Sequence, residues 1–227
     1  MSTSITQQSV EELGGEASVL VRQRRDHAKL DHLMNRYVSG GRPPEERQQT
    51  LKDIIQLTFS HAFAEETVLW PALRRLAYDG EELTSRVEQE HQEINDLVAA
   101  VERTDPADPR HDELVDQAFS LIRQDIRDEE ELLLPRLQEA LGHDHARLRR
   151  LGTTWETVRR TAPTRPHPAV PRRPLANVLA GVPLSAFDRA RDLVRAGAGS
   201  SGVRTTVVVS AAVITAWFAG RRVRASH

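Results

Sequence analysis

Ser60-His61-Ala62-Phe63-Ala64-Glu65-Glu66-Thr67-Val68-Leu69-Trp70-Pro71 is echoed 64 residues downstream by Gln124-Asp125-Ile126-Arg127-Asp128-Glu129-Glu130-Glu131-Leu132-Leu133-Leu134-Pro135. In each stretch a side chain able to hold a metal stands four residues before a Glu-Glu pair, and apolar residues and a proline follow. On a helix, positions i and i+4 share a face, with Cβ atoms about 5–6 Å apart. His61 with Glu65, and Asp125 with Glu129, therefore each form a two-pronged claw. The same interval relates His27 to His91, Leu30 to Ile94, Leu57 to Leu121 and Pro71 to Pro135, with acids before the first pair at Asp26 and Glu90. So many coincidences imply two copies of one helical hairpin, packed about a pseudo-twofold axis.

Working outward, apolar residues recur at helical spacing over about 17–38, 44–78, 82–101 and 112–141. Ser39-Gly40-Gly41-Arg42-Pro43-Pro44, Asp79-Gly80 and Thr104-Asp105-Pro106 supply the turns between them. No period-two alternation of useful length occurs before Ala162. The fold class is all-α, an up-down four-helix bundle. Pro71 and Pro135 each remove a helical hydrogen bond, which predicts kinks there and not stops. The inward face of the fourth helix reads Ala118, Leu121, Ile122, Asp125, Glu129 and Leu132. Residues 144–161 predict an additional, Arg-rich amphipathic helix, with Leu148, Leu151, Trp155 and Val158 on one side.

The chain of 227 residues has no Cys, which excludes disulfides and thiolate-rich metal sites. Any metal must be held by imidazole and carboxylate, donors that suit iron, manganese or zinc better than soft copper. From Thr161 onward ten Arg stand against two Asp, leaving 21 basic and 31 acidic residues over 1–160. A body this acidic argues against nucleic acid as a partner, whereas the basic tail suits an anionic membrane surface. Residues 1–15, polar and with Gly14-Gly15, read as a flexible N-terminal arm, with no signal peptide and a cytoplasmic body as the default. The bundle and fifth helix take 16–160, a Pro-rich linker 161–174, and a basic tail 175–227. Within that tail the uncharged segment 205–220 reads either as a packed element or as a short membrane anchor.

His27, His61, Glu65, His91, Asp125 and Glu129 each lie on the apolar stripe of a helix, where an ionised carboxylate is costly unless paired or bound to metal. The competing reading is of satisfied core histidines and solvated acids. The pattern resembles the hemerythrin-like HHE cation-binding family of di-iron bundles, which carries His, His-x-x-x-Glu, His and His-x-x-x-Glu on successive helices. Here these fall on His27, His61 with Glu65, His91, and Asp125 with Glu129. Two departures stand out: Asp125 replaces a His, and Asn95 stands where the oxygen-carrying branch has a second His on the third helix. The resemblance implies two non-heme irons bridged by Glu65 and Glu129, with His27 and His61 capping one, and His91 and Asp125 the other. Manganese and zinc are the lesser choices. Glu66 and Glu130, second in each Glu pair, turn about 100° away and read as supporting residues, with substitution as a ligand the alternative. The function implied is binding or sensing of dioxygen, peroxide or nitric oxide. The alternatives are an enzyme degrading peroxide or reducing nitric oxide, and a metal-free helical scaffold.

Overall fold

Ser18 opens the first long helix by accepting a hydrogen bond on its hydroxyl from the Leu20 N–H, which satisfies one of the free donors of the first turn. That helix, α1 (Val19–Val38), is part of a computed structural model that describes residues 3–162. α2 (Pro44–Ala64) begins with Pro44, whose missing N–H costs nothing at that position, and with Glu45 and Glu46 against the positive helix end. A widened π-helical turn, Glu65–Leu69, joins it to α3 (Trp70–Leu76). α4 (Gly80–Arg103) returns, followed by α5 (Pro109–Asp128), a second π turn (Glu129–Leu133) and α6 (Leu134–Ala140). Asp144 caps the final helix, α7 (His145–Arg159), accepting from the Ala146 and Arg147 N–H groups.

α1 lies against α2 and α5, α3 against α4, and α4 against α5; α7 lies along α1, α2 and the first π turn. The expected all-helical bundle with an additional helix is what the described residues form. Among them, no helix is long and apolar enough to cross a membrane. The linker beyond Ala162, the basic tail and its apolar segment 205–220 lie outside the described residues.

Buried side chains gather in two apolar layers. One contains Leu20, Leu69, Trp70, Leu73, Val87, Leu133, Leu137, Leu148 and Trp155. The other contains Leu30, Met34, Ile54, Phe59, Ile94, Val98, Phe119 and Ile122. On α1, α2 and α4 the chain passes from one layer to the other through a polar residue: Leu20 to Leu30 by way of His27, Phe59 to Ala64 by way of His61, and Val87 to Ile94 by way of His91. The candidate site is the thin polar layer between them.

Two expectations change. The prolines produce π turns just ahead of themselves. Trp70 N–H donates to the Glu65 carbonyl, and Leu134 N–H to the Glu129 carbonyl, each five residues back. One extra residue in a turn advances everything after it by about 100°. Leu132, expected inward, is therefore 45% exposed, while Leu133 and Leu134 are buried. The second change concerns the expected flexible arm. From Thr3 on it lies against the bundle, with Ile5 and Leu13 fully buried and a short 3-10 turn at Ile5–Gln7. His111 is buried in the first turn of α5.

Candidate metal centre

α1 and α4 each present one imidazole to the polar layer, and the claws that begin at the ends of α2 and α5 and finish at Glu65 and Glu129 in the π turns present two side chains each. All six sequence-derived residues are at most 8% exposed. They fall into two groups whose donor atoms lie within 4.8 Å of one another: His27, His61, Glu65 and Glu129, then His91, Asp125 and Glu129. Glu129 belongs to both. Glu65 leans the same way, with Oε1 2.9 Å from His61 Nε2 and Oε2 3.7 Å from His91 Nε2.

The first group has a revealing arrangement of nitrogens. His27 Nδ1–H donates to Glu130 Oε1 at 2.8 Å, and His61 Nδ1–H donates to Asp26 Oδ2 at 3.4 Å. In the neutral ring the opposite nitrogen then carries a lone pair. Those two Nε2 atoms face each other at 3.1 Å, and His27 Nε2 is also 3.1 Å from Glu129 Oε2. In the second group His91 Nδ1–H donates to Glu66 Oε1 at 2.9 Å. Its Nε2 looks onto Asp125 Oδ1 at 3.5 Å and Glu129 Oε1 at 3.6 Å.

Glu65 Oε1 and Oε2, Glu129 Oε1, Asp125 Oδ1 and His91 Nε2 are all buried without a hydrogen bond. So dense a cluster of unsatisfied acceptors is far outside what a core tolerates. Metal ions at the two positions would satisfy these lone pairs together, so the residues present fit a pair of cations held by nitrogen and oxygen.

Without metal, protons do part of this work. Burial lowers the His27 pKa, yet hydrogen bonds with Glu129 and Glu130 raise it to about 9. His61 and His91 are likewise depressed by burial and raised well above the ordinary value by the acids around them, Glu65 with Asp26 and Asp125 with Glu129 respectively. Burial and the nearby Glu129 lift Glu65 to about 7. Asp125 is raised by burial and Glu129, against the pull of His91. Glu129 is opposed by burial but, with the imidazoles of His27 and His91 beside it, is lowered.

α7 closes one side. Trp155 meets the His61 ring edge-on at 5.4 Å between centroids, and Arg159 lies over the Trp155 ring and 3.7 Å from Asp26. The sequence placed Trp155 on an apolar face without indicating what it would touch. Asp26 was visible only as an acid that precedes the repeated His. Its counterpart Glu90 precedes His91 in the same way, which was the available signal.

The hemerythrin HHE cation binding domain matches residues 19–137, just over half of the chain. Among curated proteins, an uncharacterized hemerythrin-like protein of Schizosaccharomyces pombe is 22% identical over 59% of this chain and 66% of its own length. A DNA nickase of Nostoc sp. is 26% identical over 53% of this chain and 34% of its own. The chain thus spans less than two thirds of either relative. No solved structure matches. With four helices carrying their imidazoles and carboxylates to one polar layer, and with the domain match covering all six of those positions, the chain belongs to the hemerythrin HHE cation-binding domain family.

Proposed function

We propose that the protein holds two non-heme iron ions and uses them to bind or sense dioxygen, nitric oxide or peroxide. Cation binding follows from the family; the further assignment rests on the paired Nε2 lone pairs and donor-less carboxylate oxygens of the polar layer. His27 and His61 would hold one ion, His91 and Asp125 the other, and Glu65 and Glu129 would bridge them. Iron there would supply a coordination position and a change of oxidation state. The chain's own part is to orient the donors: Glu130, Asp26 and Glu66 fix the Nδ1–H of His27, His61 and His91 and thereby aim each Nε2 inward.

Burial supports a small ligand. The donors lie between two apolar layers and beneath Trp155, so a diatomic molecule or peroxide fits the space better than a bulky substrate. DNA nicking, the activity for which the Nostoc relative is named, is not carried over, because the excess of acid over 1–160 repels a polyanionic strand.

Elemental analysis tests the assignment. The wild type is expected to carry roughly two irons per chain, and His61→Ala and Glu65→Ala clearly fewer. Metal content that is the same in all three removes these residues as ligands. Incubating the iron-loaded protein with peroxide or nitric oxide then separates binding from turnover: a spectral change without continued consumption supports sensing, and sustained consumption assigns an enzyme.

A further inference from the structure

The second π turn leaves a specific defect. Its register pairs the Glu129 carbonyl with the N–H of Leu134. The next carbonyl, that of Glu130, would take the N–H of residue 135, and Pro135 has none. A hydroxyl from the other end of the chain fills this position: Ser4 Oγ donates to the Glu130 carbonyl at 3.0 Å. That one proton is thereby committed, so the contact between Ser4 Oγ and Thr6 Oγ1 at 2.9 Å is made with Thr6 as donor, and the Thr6 N–H donates to the same oxygen at 3.3 Å. Ser4 is thus held on three sides.

We propose that Ser4 is a positioning residue of the metal centre: by occupying the carbonyl that Pro135 leaves open, it fixes Glu130 against His27. The inference rests on the metal-site reading given above. A closed ring of contacts carries it. On α1, Arg24 donates to the carbonyls of Ile5 at 3.2 Å and Gln8 at 2.6 Å, three residues before His27. The N-terminal segment so anchored delivers Ser4 to the π turn, and the Glu130 carboxylate of that turn returns to His27 on α1. Ile5, fully buried, and Gln138, which donates from Nε2 to Gln8 Oε1 at 2.9 Å and to the Glu12 carbonyl at 3.1 Å, keep the segment seated. Without the Ser4 bond, the Glu130 carbonyl must turn toward water, and the turn that carries the Glu130 side chain turns with it. The His27 ring then loses the constraint that aims its Nε2.

Ser4→Ala, Ser4→Thr, Thr6→Ala and Glu130→Gln in the full chain test this, with helix content checked by circular dichroism. Each is loaded anaerobically with ferrous iron, and the rate of loss to a chelator is followed. Ser4→Ala, which frees the turn that carries Glu130, and Glu130→Gln, which exchanges a charged acceptor for a weaker neutral one, are expected to release iron about 10-fold faster than wild type, the low end of what losing the group that orients a ligand costs. Ser4→Thr, which keeps the hydroxyl, and Thr6→Ala, which keeps the Glu130 carbonyl partnered, are expected within about twofold of wild type. Ser4→Ala at the wild-type rate beside a fast Glu130→Gln overturns the inference and leaves the metal site intact. Thr6→Ala as fast as Ser4→Ala also overturns it, since the effect would then belong to the segment at large. Should the wild type hold no iron, the metal-site reading fails, and the His27 ring nitrogens in the metal-free protein decide. A changed Nδ1 resonance in Ser4→Ala, and none in Thr6→Ala, retains the positioning role; identical resonances end it.

Discussion

Asp125 stands where the repeat would put a second His61, and the substitution changes its neighbour's task. Asp26 accepts from His61, but its counterpart Glu90 faces a carboxylate, so like charges meet. Burial first, then Asp125 and Asp128, raise the Glu90 pKa. An anionic donor also favours the more highly charged metal. Asp125→His is therefore expected to raise the reduction potential of the iron-loaded protein, measured by spectroelectrochemistry; an unmoved potential means that Asp125 is not a ligand. At this scale much was legible. The six donor candidates announced themselves because a polar residue on an apolar stripe is conspicuous, and because each was repeated at one interval. Glu130, Asp26 and Ser4 were harder, since what they touch lies on another element. A carboxylate on the second half steers an imidazole on the first, and a terminal serine meets a carbonyl across 126 positions.

Among the elements, helical periodicity revealed the long helices but could not count a π turn. A proline removes one N–H, and a kink, a break or a wider turn can each absorb the loss. The choice made here advances α3 and α6 by one residue, which buries Leu133 and turns Leu132 outward. Nor did composition reveal that residues 3–15 pack, because Ile5 and Leu13 are isolated apolar residues in polar sequence. The seating of α7 depends on a feature that sequence inspection passes over. A Cβ on Gly152 would lie 2.4 Å from the Ala17 carbonyl oxygen and 2.9 Å from the Val19 nitrogen, both backbone atoms of the stretch entering α1. Gly152→Ala must push α7 away from α1 and from His61. A destabilisation of about 1–3 kcal/mol is expected, read from the urea midpoint. An unchanged midpoint would show that α7 contributes little to the fold.

Taken whole, the molecule spends stability on its polar layer, and pH exposes this. In the metal-free protein Glu65 moves from 4.5 to about 7 and His27 from 6.5 to about 9. Both groups bind more protons folded than unfolded across those intervals, so stability falls as pH rises. The Glu65 contribution is lost between 4.5 and about 7, and that of His27 between 6.5 and about 9. Glu129, whose value is lowered, acts in the opposite sense, and its contribution disappears only as pH falls below its ordinary 4.5. Thermal melting of metal-free protein is therefore expected to show a declining midpoint from pH 5 to 9. Metal requires the same groups deprotonated, so iron affinity is expected to rise over that range. A flat profile for the metal-free protein would contradict the buried, proton-holding cluster.

The cross-over of acids between halves has its own consequence. Glu66 comes from the first hairpin and serves His91 of the second, while Glu130 of the second serves His27 of the first. Severed between Ala77 and Gly80, the first piece would keep His27 and His61 and the second His91, yet each would forfeit the carboxylate that steers His27 or His91, and neither could assemble a finished site alone. The cations, once captured, would act as a rivet between duplicates, so that holding metal and holding the two halves together become a single event.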